Sequence, residues 1–285
     1  MRHHFVPQFL LQSWYSKHSP KKLFFEFRLD LDELVVRERV SKETGFRPDL
    51  WALSKPEVAG MTKQALETIF FKHIDNDAAL VRVKLENSGL KSLTEEDRYV
   101  WAVFLGSMRV RQPDVINKLK LESTELLRGS LDSQPEQYEE LAGDSDAPTL
   151  VEWTERRYPG LIENFGLSLV AGVTLDPVIL AKIMQLDWGL YHFLEDNHDL
   201  LLGDNPCILT DGIDASDLIV AMPITPRKVF FATRGERIKT MLHQIDNNTL
   251  AIRLNESSLG QARTRIYSRT KSSRGFIKNR WRPKC

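Results

Sequence analysis

Apolar residues recur at intervals of three and four along the first part of the chain, and give way further on to alternation and short apolar runs. From Thr62 to Glu86, the positions Leu66, Ile69, Phe70, Ile74, Ala78, Val81 and Leu85 keep helical spacing. The next helix start is marked by Thr94, a capping hydroxyl, ahead of Glu95, Glu96 and Asp97, whose charges suit the positive end of a helix. Trp101, Phe104, Leu105 and Met108 then form its apolar stripe. Pro113 ends or kinks that helix, and another runs to about Arg128. A short helix follows Pro7, with Leu10, Leu11 and Trp14 on one face, and two more are predicted at 149–157 and 176–186. Residues 22–40 alternate as a hairpin.

After Trp188 the period changes. Trp188–Leu194, Leu200–Leu202, Cys207–Thr210, Leu218–Met222 and Lys228–Ala232 are strand-like runs separated by Asn, Asp, Gly and Pro. Helices near 235–243 and 256–266 close the pattern, and no internal repeat is visible. Helices first and strands later predict an α+β fold, with a helical N-terminal two-thirds (1–187) packed on a small, mostly antiparallel sheet from 188–232. A single domain over 1–270 with a basic tail at 271–285 is the expected organisation.

Composition narrows this little. The 285 residues are 42% hydrophobic and 27% charged, and their formal charges cancel. The distribution is polarised, however. Every charge from Gly129 to Glu155 is acidic, and every charge from Ser257 onward is basic. The acidic stretch around Ser130–Pro148, rich in Ser, Gly, Asp and Pro, reads as a surface loop. Two cysteines exclude a disulfide framework and a cysteine-rich zinc site, and suit a reducing compartment. No apolar run approaches the ~20 residues of a membrane span, so a cytoplasmic protein without membrane attachment is expected.

Phosphate-cradling glycine loops, nucleophile elbows and zinc-protease helix motifs are missing. What remains is polar residues in awkward places. His3 and His4 precede an apolar helix, where either could serve as a ligand or base, or simply sit near the surface. Arg111 falls in the apolar stripe of its own helix, so its permanent charge needs a carboxylate or an anionic ligand. Arg109 flanks it, and Glu67 is a natural partner. His73 and Asp77 share one helical face, best read as solvated. Asp204 and Asn205 before Pro206 fit a tight turn in which Asp binds backbone amides, or a strand end displayed into a cleft. The basic tail interleaves Tyr267, Phe276 and Trp281 with arginines, a mix that suits nucleic-acid contact or folding onto the chain's own acidic loop.

In order along the chain, these pieces resemble the bacterial domain-of-unknown-function 4238 family. The matching segments are His4-Phe-Val-Pro7-Gln8-Phe-Leu-Leu11, Ala65-Leu66-Glu67 through Ile74-Asp75, Leu93 to Arg98 leading to Arg109-Val-Arg111-Gln-Pro113, and Gly203-Asp204-Asn205-Pro206 followed by Met222-Pro223 to Pro226. Gly203 replaces the family's usual serine, and Asp75 its usual glutamate. The resemblance implies that His4, Glu67, Arg111, Asp204 and Asn205 form one constellation. A hydrolase-like site is then expected, with His4, Glu67, Asp204 and Asn205 in catalytic roles, with or without a divalent metal as cofactor. Arg111, Arg109 and Gln8 would bind a phosphate-containing substrate, a nucleic acid or nucleotide, which the basic tail would help recruit. The competing class is a non-catalytic binding or regulatory module whose polar network is structural.

Overall fold

Helix starts in this protein have local causes in the chain. The computed structural model describes residues 1–16, 19–30, 33–56, 60–134, 136, 138, 147–194, 198–235, 240, 242 and 244–282. The first elements are β1 (Arg2–His4), α1 (Gln8–Gln12), β2 (Phe24–Asp30), β3 (Glu33–Arg39) and β4 (Phe46–Pro48). A π-helical turn at Leu66–Phe71 leads into α2 (Lys72–Asn87), then α3 (Glu95–Val110) and α4 (Pro113–Asp132). Next come α5 (Leu150–Arg157), α6 (Leu161–Thr174), α7 (Pro177–Met184), β5 (Asp187–His192), β6 (Leu202–Gly203) and β7 (Ile208–Leu209). The chain closes with β8 (Ile219–Thr225), β9 (Lys228–Thr233), α8 (Asn247–Gln261), β10 (Ile266–Ser268) and α9 (Arg274–Arg280). The fold is α+β, with sheets β1-β4, β3-β2-β10-β6 and β5-β9-β8-β7.

The start of α3 is set by a reciprocal cap. Thr94 Oγ1 accepts from the Asp97 amide (3.1 Å), while Asp97 Oδ2 accepts from the Thr94 amide (2.9 Å). Lys84 adds two bonds to the same carboxylate at 2.7 and 2.8 Å, and this bonding holds the Asp97 carboxyl below its ordinary range. Pro113 supplies the first turn of α4, where its missing N–H has no partner to lose.

Two compact units share the chain. One comprises Met1–His3, Arg47–His73 and Arg109–Asp176; the other comprises His4–Phe46, Ile74–Met108 and Pro177–Cys285. Within the first, α4 lies close against α6 because position 166 has no side chain. A Cβ on Gly166 would lie 2.6 Å from the Leu119 carbonyl oxygen.

In the second unit α8 is the common support of two sheets. Leu250, Ala251 and Leu254 pack with Phe193, Leu200, Val229 and Phe231 against β5-β9-β8-β7, an entirely antiparallel sheet. Further along α8, Leu259 pairs with Ala262, beyond its C-terminus, in burying Phe27, Leu201, Ile266 and Ile277 beside the other four-stranded sheet. Leu200 and Leu201, in the segment leading into β6, go to opposite clusters. Phe230, the neighbour of Phe231, turns to the reverse face, where its ring centroid lies 5.7 Å from Trp101 and 5.1 Å from Trp188. Arg98 closes that cluster with its guanidinium 4.0 Å above the Trp188 ring.

Four expectations change. The helix expected at 256–266 begins at Asn247 and ends at Gln261, because Asp246 caps it through the Thr249 amide at 3.0 Å. Beyond that helix the chain enters a strand: β10 pairs with both β2 and β6, so the N-terminal hairpin belongs to a sheet completed by the far end of the chain. The basic segment is packed, with α9 carrying Ile277 and the adjoining Trp281 buried in the core. Finally, Leu161–Met184 is long and apolar enough, by length and composition, to cross a membrane. Asp176 and Pro177 interrupt it, so α6 stops at Thr174 and α7 restarts at Pro177. The helix expected at 235–243 and the acidic loop fall largely outside the described residues.

Candidate functional site

The residues singled out in the sequence divide between the two units. Glu67, Arg109 and Arg111 belong to the first; His4, Gln8, Asp204 and Asn205 belong to the second.

In the first unit Arg111 lies one residue past the end of α3 and not within it, yet is fully buried as the continuation of the stripe predicts, with its guanidinium 4.6 Å from the Phe71 ring centre. Arg109 is exposed. The π-helical turn places Glu67 so that Oε2 accepts from the Trp51 indole at 3.1 Å. The buried histidine is His3. Its Nδ1 accepts from the Trp51 amide at 3.1 Å, its Nε2 meets Gln64 Oε1, and its ring stacks on Trp51 at 5.1 Å. An accepting Nδ1 leaves the proton on Nε2, so this geometry suits neutral imidazole, and burial pushes the pKa below its ordinary value. Asp49 is held down to about 2 by the terminal ammonium (2.8 Å) and then by Gln64 (3.1 Å).

In the second unit His4 ends β1, partly exposed, with its ring 5.4 Å from Phe46. Gln8 opens α1. Asp204, 2% exposed, is fully engaged. It accepts from the amides of Arg263 (2.7 Å), Thr264 (2.9 Å) and Arg265 (3.0 Å), and from Thr264 Oγ1 (2.9 Å). Three of these donors converge on Oδ2 and one on Oδ1, all from the 263–265 segment. Burial pushes this carboxyl up from its ordinary value, against the downward pull of those donors. The task of Asp204 is to fix the chain between α8 and β10. Gly203 fits the same close approach, since a Cβ there would lie 3.0 Å from the Ser258 carbonyl oxygen. Among the described residues no group of three or more His, Cys, Asp or Glu side chains is placed to share a metal ion.

This chain belongs to the DUF4238 family. The family, described as a protein of unknown function, matches residues 2–272. No curated protein and no solved structure matches the chain.

In this DUF4238 protein a second polar cluster, which the sequence motifs did not indicate, forms beside two cavities of the second unit. Asn255 of α8 accepts from the Leu201 amide (2.7 Å) and donates to the Asp199 carbonyl (2.9 Å), which fixes the segment leading into β6. Asp199 is thereby presented to two arginines. Arg269, just after β10, binds it in a fork, Nε to Oδ2 at 2.8 Å and Nη2 to Oδ1 at 2.7 Å. Arg227, in the turn between β8 and β9, adds Nη2 to Oδ1 at 2.9 Å and reaches the Leu194 carbonyl through Nη1. The side chains are 11%, 17% and 18% exposed for Asp199, Arg269 and Arg227, so both guanidiniums meet this carboxylate with little water to screen the interaction.

Arg227 lines both cavities. The one of about 520 Å³ also carries Arg269, Lys228 and His192, opposed by Glu86. The one of about 450 Å³ is lined by Asp199, Asn255 and a hydroxyl-bearing turn at Thr270–Ser273. The sequence carries only faint signals of this cluster. Arg269 lies among the other cations of the basic segment, and Arg227 comes directly after the Pro226 that ends the last family-like motif; neither position points to Asp199.

Proposed function

We propose that this chain is a non-catalytic binding module for a small phosphate-bearing molecule, with Arg227 and Arg269 as the anion-binding groups. The observation that carries this reading is the convergence of two largely buried guanidiniums, Arg227 and Arg269, on Asp199 and on the wall of a cavity that adds Lys228 and His192. A cavity of about 520 Å³ suits a small ligand rather than a nucleic-acid duplex. Arginine forks match phosphate oxygens as well as they match carboxylates. A hydrolytic role for His4, Glu67, Asp204 and Asn205 gains less support, because the Asp204 carboxylate is buried and its four bonds all hold the chain's own 263–265 segment.

The test is titration of the whole chain with inorganic phosphate and pyrophosphate at constant ionic strength, followed by calorimetry. Saturable binding that Arg269→Ala weakens at least about tenfold is expected, the loss of one charge-assisted contact. Binding that tracks ionic strength alone, or that ignores Arg269, would remove the proposal.

A further inference from the structure

We propose that the cavity of about 450 Å³ is a separate site for a ring bearing vicinal hydroxyls, a free monosaccharide or the ribose of a nucleoside. A sugar hydroxyl both donates and accepts, so a site for it must offer donors and acceptors side by side. Counting the capacity left after internal bonding gives that pattern here. Asp199 has three positions occupied, both bonds to Oδ1 and one to Oδ2, which leaves Oδ2 one acceptor position. Asn255 spends its oxygen and one amide hydrogen on backbone, and keeps the other hydrogen. Thr270 and Ser272 share one hydrogen bond at 2.8 Å, so one hydroxyl hydrogen of the pair remains to donate. Ser268 and Ser273 are likewise 2.8 Å apart, and Ser268 is fully buried. When Ser268 donates, the Ser273 hydrogen is available to the cavity. Two donors, a third when Ser268 donates to Ser273, and one carboxylate acceptor therefore converge on one cavity of sugar size.

Phe276 supplies the apolar part of the wall. One side of its ring is covered by the Arg280 guanidinium, 4.4 Å from the ring centre. The His198 ring lies 6.2 Å away at 39°, too close for a base to be sandwiched between the two. The aromatic surface that remains suits the C–H face of a sugar. This site stands on its own donors and acceptors and not on the anion reading, although Arg227 touches both cavities.

The experiment is two-dimensional amide NMR of the full chain titrated with ribose, glucose and adenosine, each with and without inorganic phosphate. Saturable shifts at Thr270–Ser273 and Asn255 are expected. Ser272→Ala, at an exposed position, and Phe276→Leu should each weaken them several-fold while leaving phosphate affinity unchanged. Two or three hydrogen bonds of this kind correspond to roughly ten- to hundred-fold in affinity. If adenosine binds more tightly than ribose, the natural source is a nucleoside; equal affinities point to a free sugar, and both support the site. Absence of saturable shifts with every sugar, or shifts that neither substitution alters, overturns it. Failure of phosphate to bind while sugars still do would overturn the anion reading alone.

Discussion

Asp199 and Asp204 lie on either side of the short strand β6, and the protein handles their charges by opposite means. Asp204 is met by three backbone amides and a hydroxyl, all from one segment, and is sealed from solvent. Asp199 is met by two arginines from different parts of the chain and lines one cavity, while both arginines line a second. Amides neutralise a carboxylate without adding net charge, so the first arrangement is closed. Guanidiniums at a cavity wall can meet an anionic ligand as well as the carboxylate, so the second arrangement is open. Burial of an aspartate is therefore a poor guide to its role; the identity and number of its donors is a better one.

The largest expected effect comes from removing the shared carboxylate. Asp199→Asn removes the carboxylate that Arg269 grips in a fork and Arg227 also meets, and should cost about 3–5 kcal/mol in chemical denaturation. Phosphate should recover more stability in this variant than in the wild type, because anion and carboxylate then no longer compete. Asp204→Asn should cost somewhat less, about 3 kcal/mol, by turning an amide donor toward the donors of the 263–265 segment. Added phosphate should restore none of it. Equal rescue of both variants would collapse the distinction between the two aspartates.

A gentler probe moves the strand between them. Gly203→Ser sets a Cβ 3.0 Å from the Ser258 carbonyl oxygen and should cost about 1 kcal/mol, with amide shifts changing in both flanking segments. Smaller still is the pH response. The Asp204 carboxyl is raised by burial, so its contribution to stability is fully present below the ordinary value of 3.8 and is lost as pH rises through the folded-state value. The stability gap between wild type and Asp204→Asn should therefore narrow across that window and then stay level. His3, lowered by burial, behaves in the opposite sense. Its contribution is present above 6.5 and is lost as pH falls through the folded-state value, an acid sensitivity that His3→Gln should remove.

Local signals in the chain are dependable where a short stretch decides the outcome. The Thr94–Asp97 cap, the apolar stripe of α2 and the burial of Arg111 follow from spacing and from the chemistry of neighbouring residues. Asp204 does bind backbone amides, but those of the distant 263–265 segment and not those of its own turn. The failures are long-range. Nothing near Ile266 announces that it will pair with Phe27 and Gly203. Nothing in the basic C-terminal run separates Arg269, which faces Asp199, from Arg280, which pairs with Glu256 on the surface. The Asp199 cluster is assembled from three distant segments, and no single window of sequence contains its stoichiometry.

The position of α8 has a further consequence for how the second unit comes apart. Because one end of this helix completes the core under β5-β9-β8-β7 and the other end completes the core beside β3-β2-β10-β6, neither sheet can shed its cover without uncovering its neighbour. The two sheets should melt as one cooperative block. The amides of Leu250, Leu254 and Leu259 should exchange with deuterium only through global opening, at a common rate, and proteases should find no stable half-unit to release.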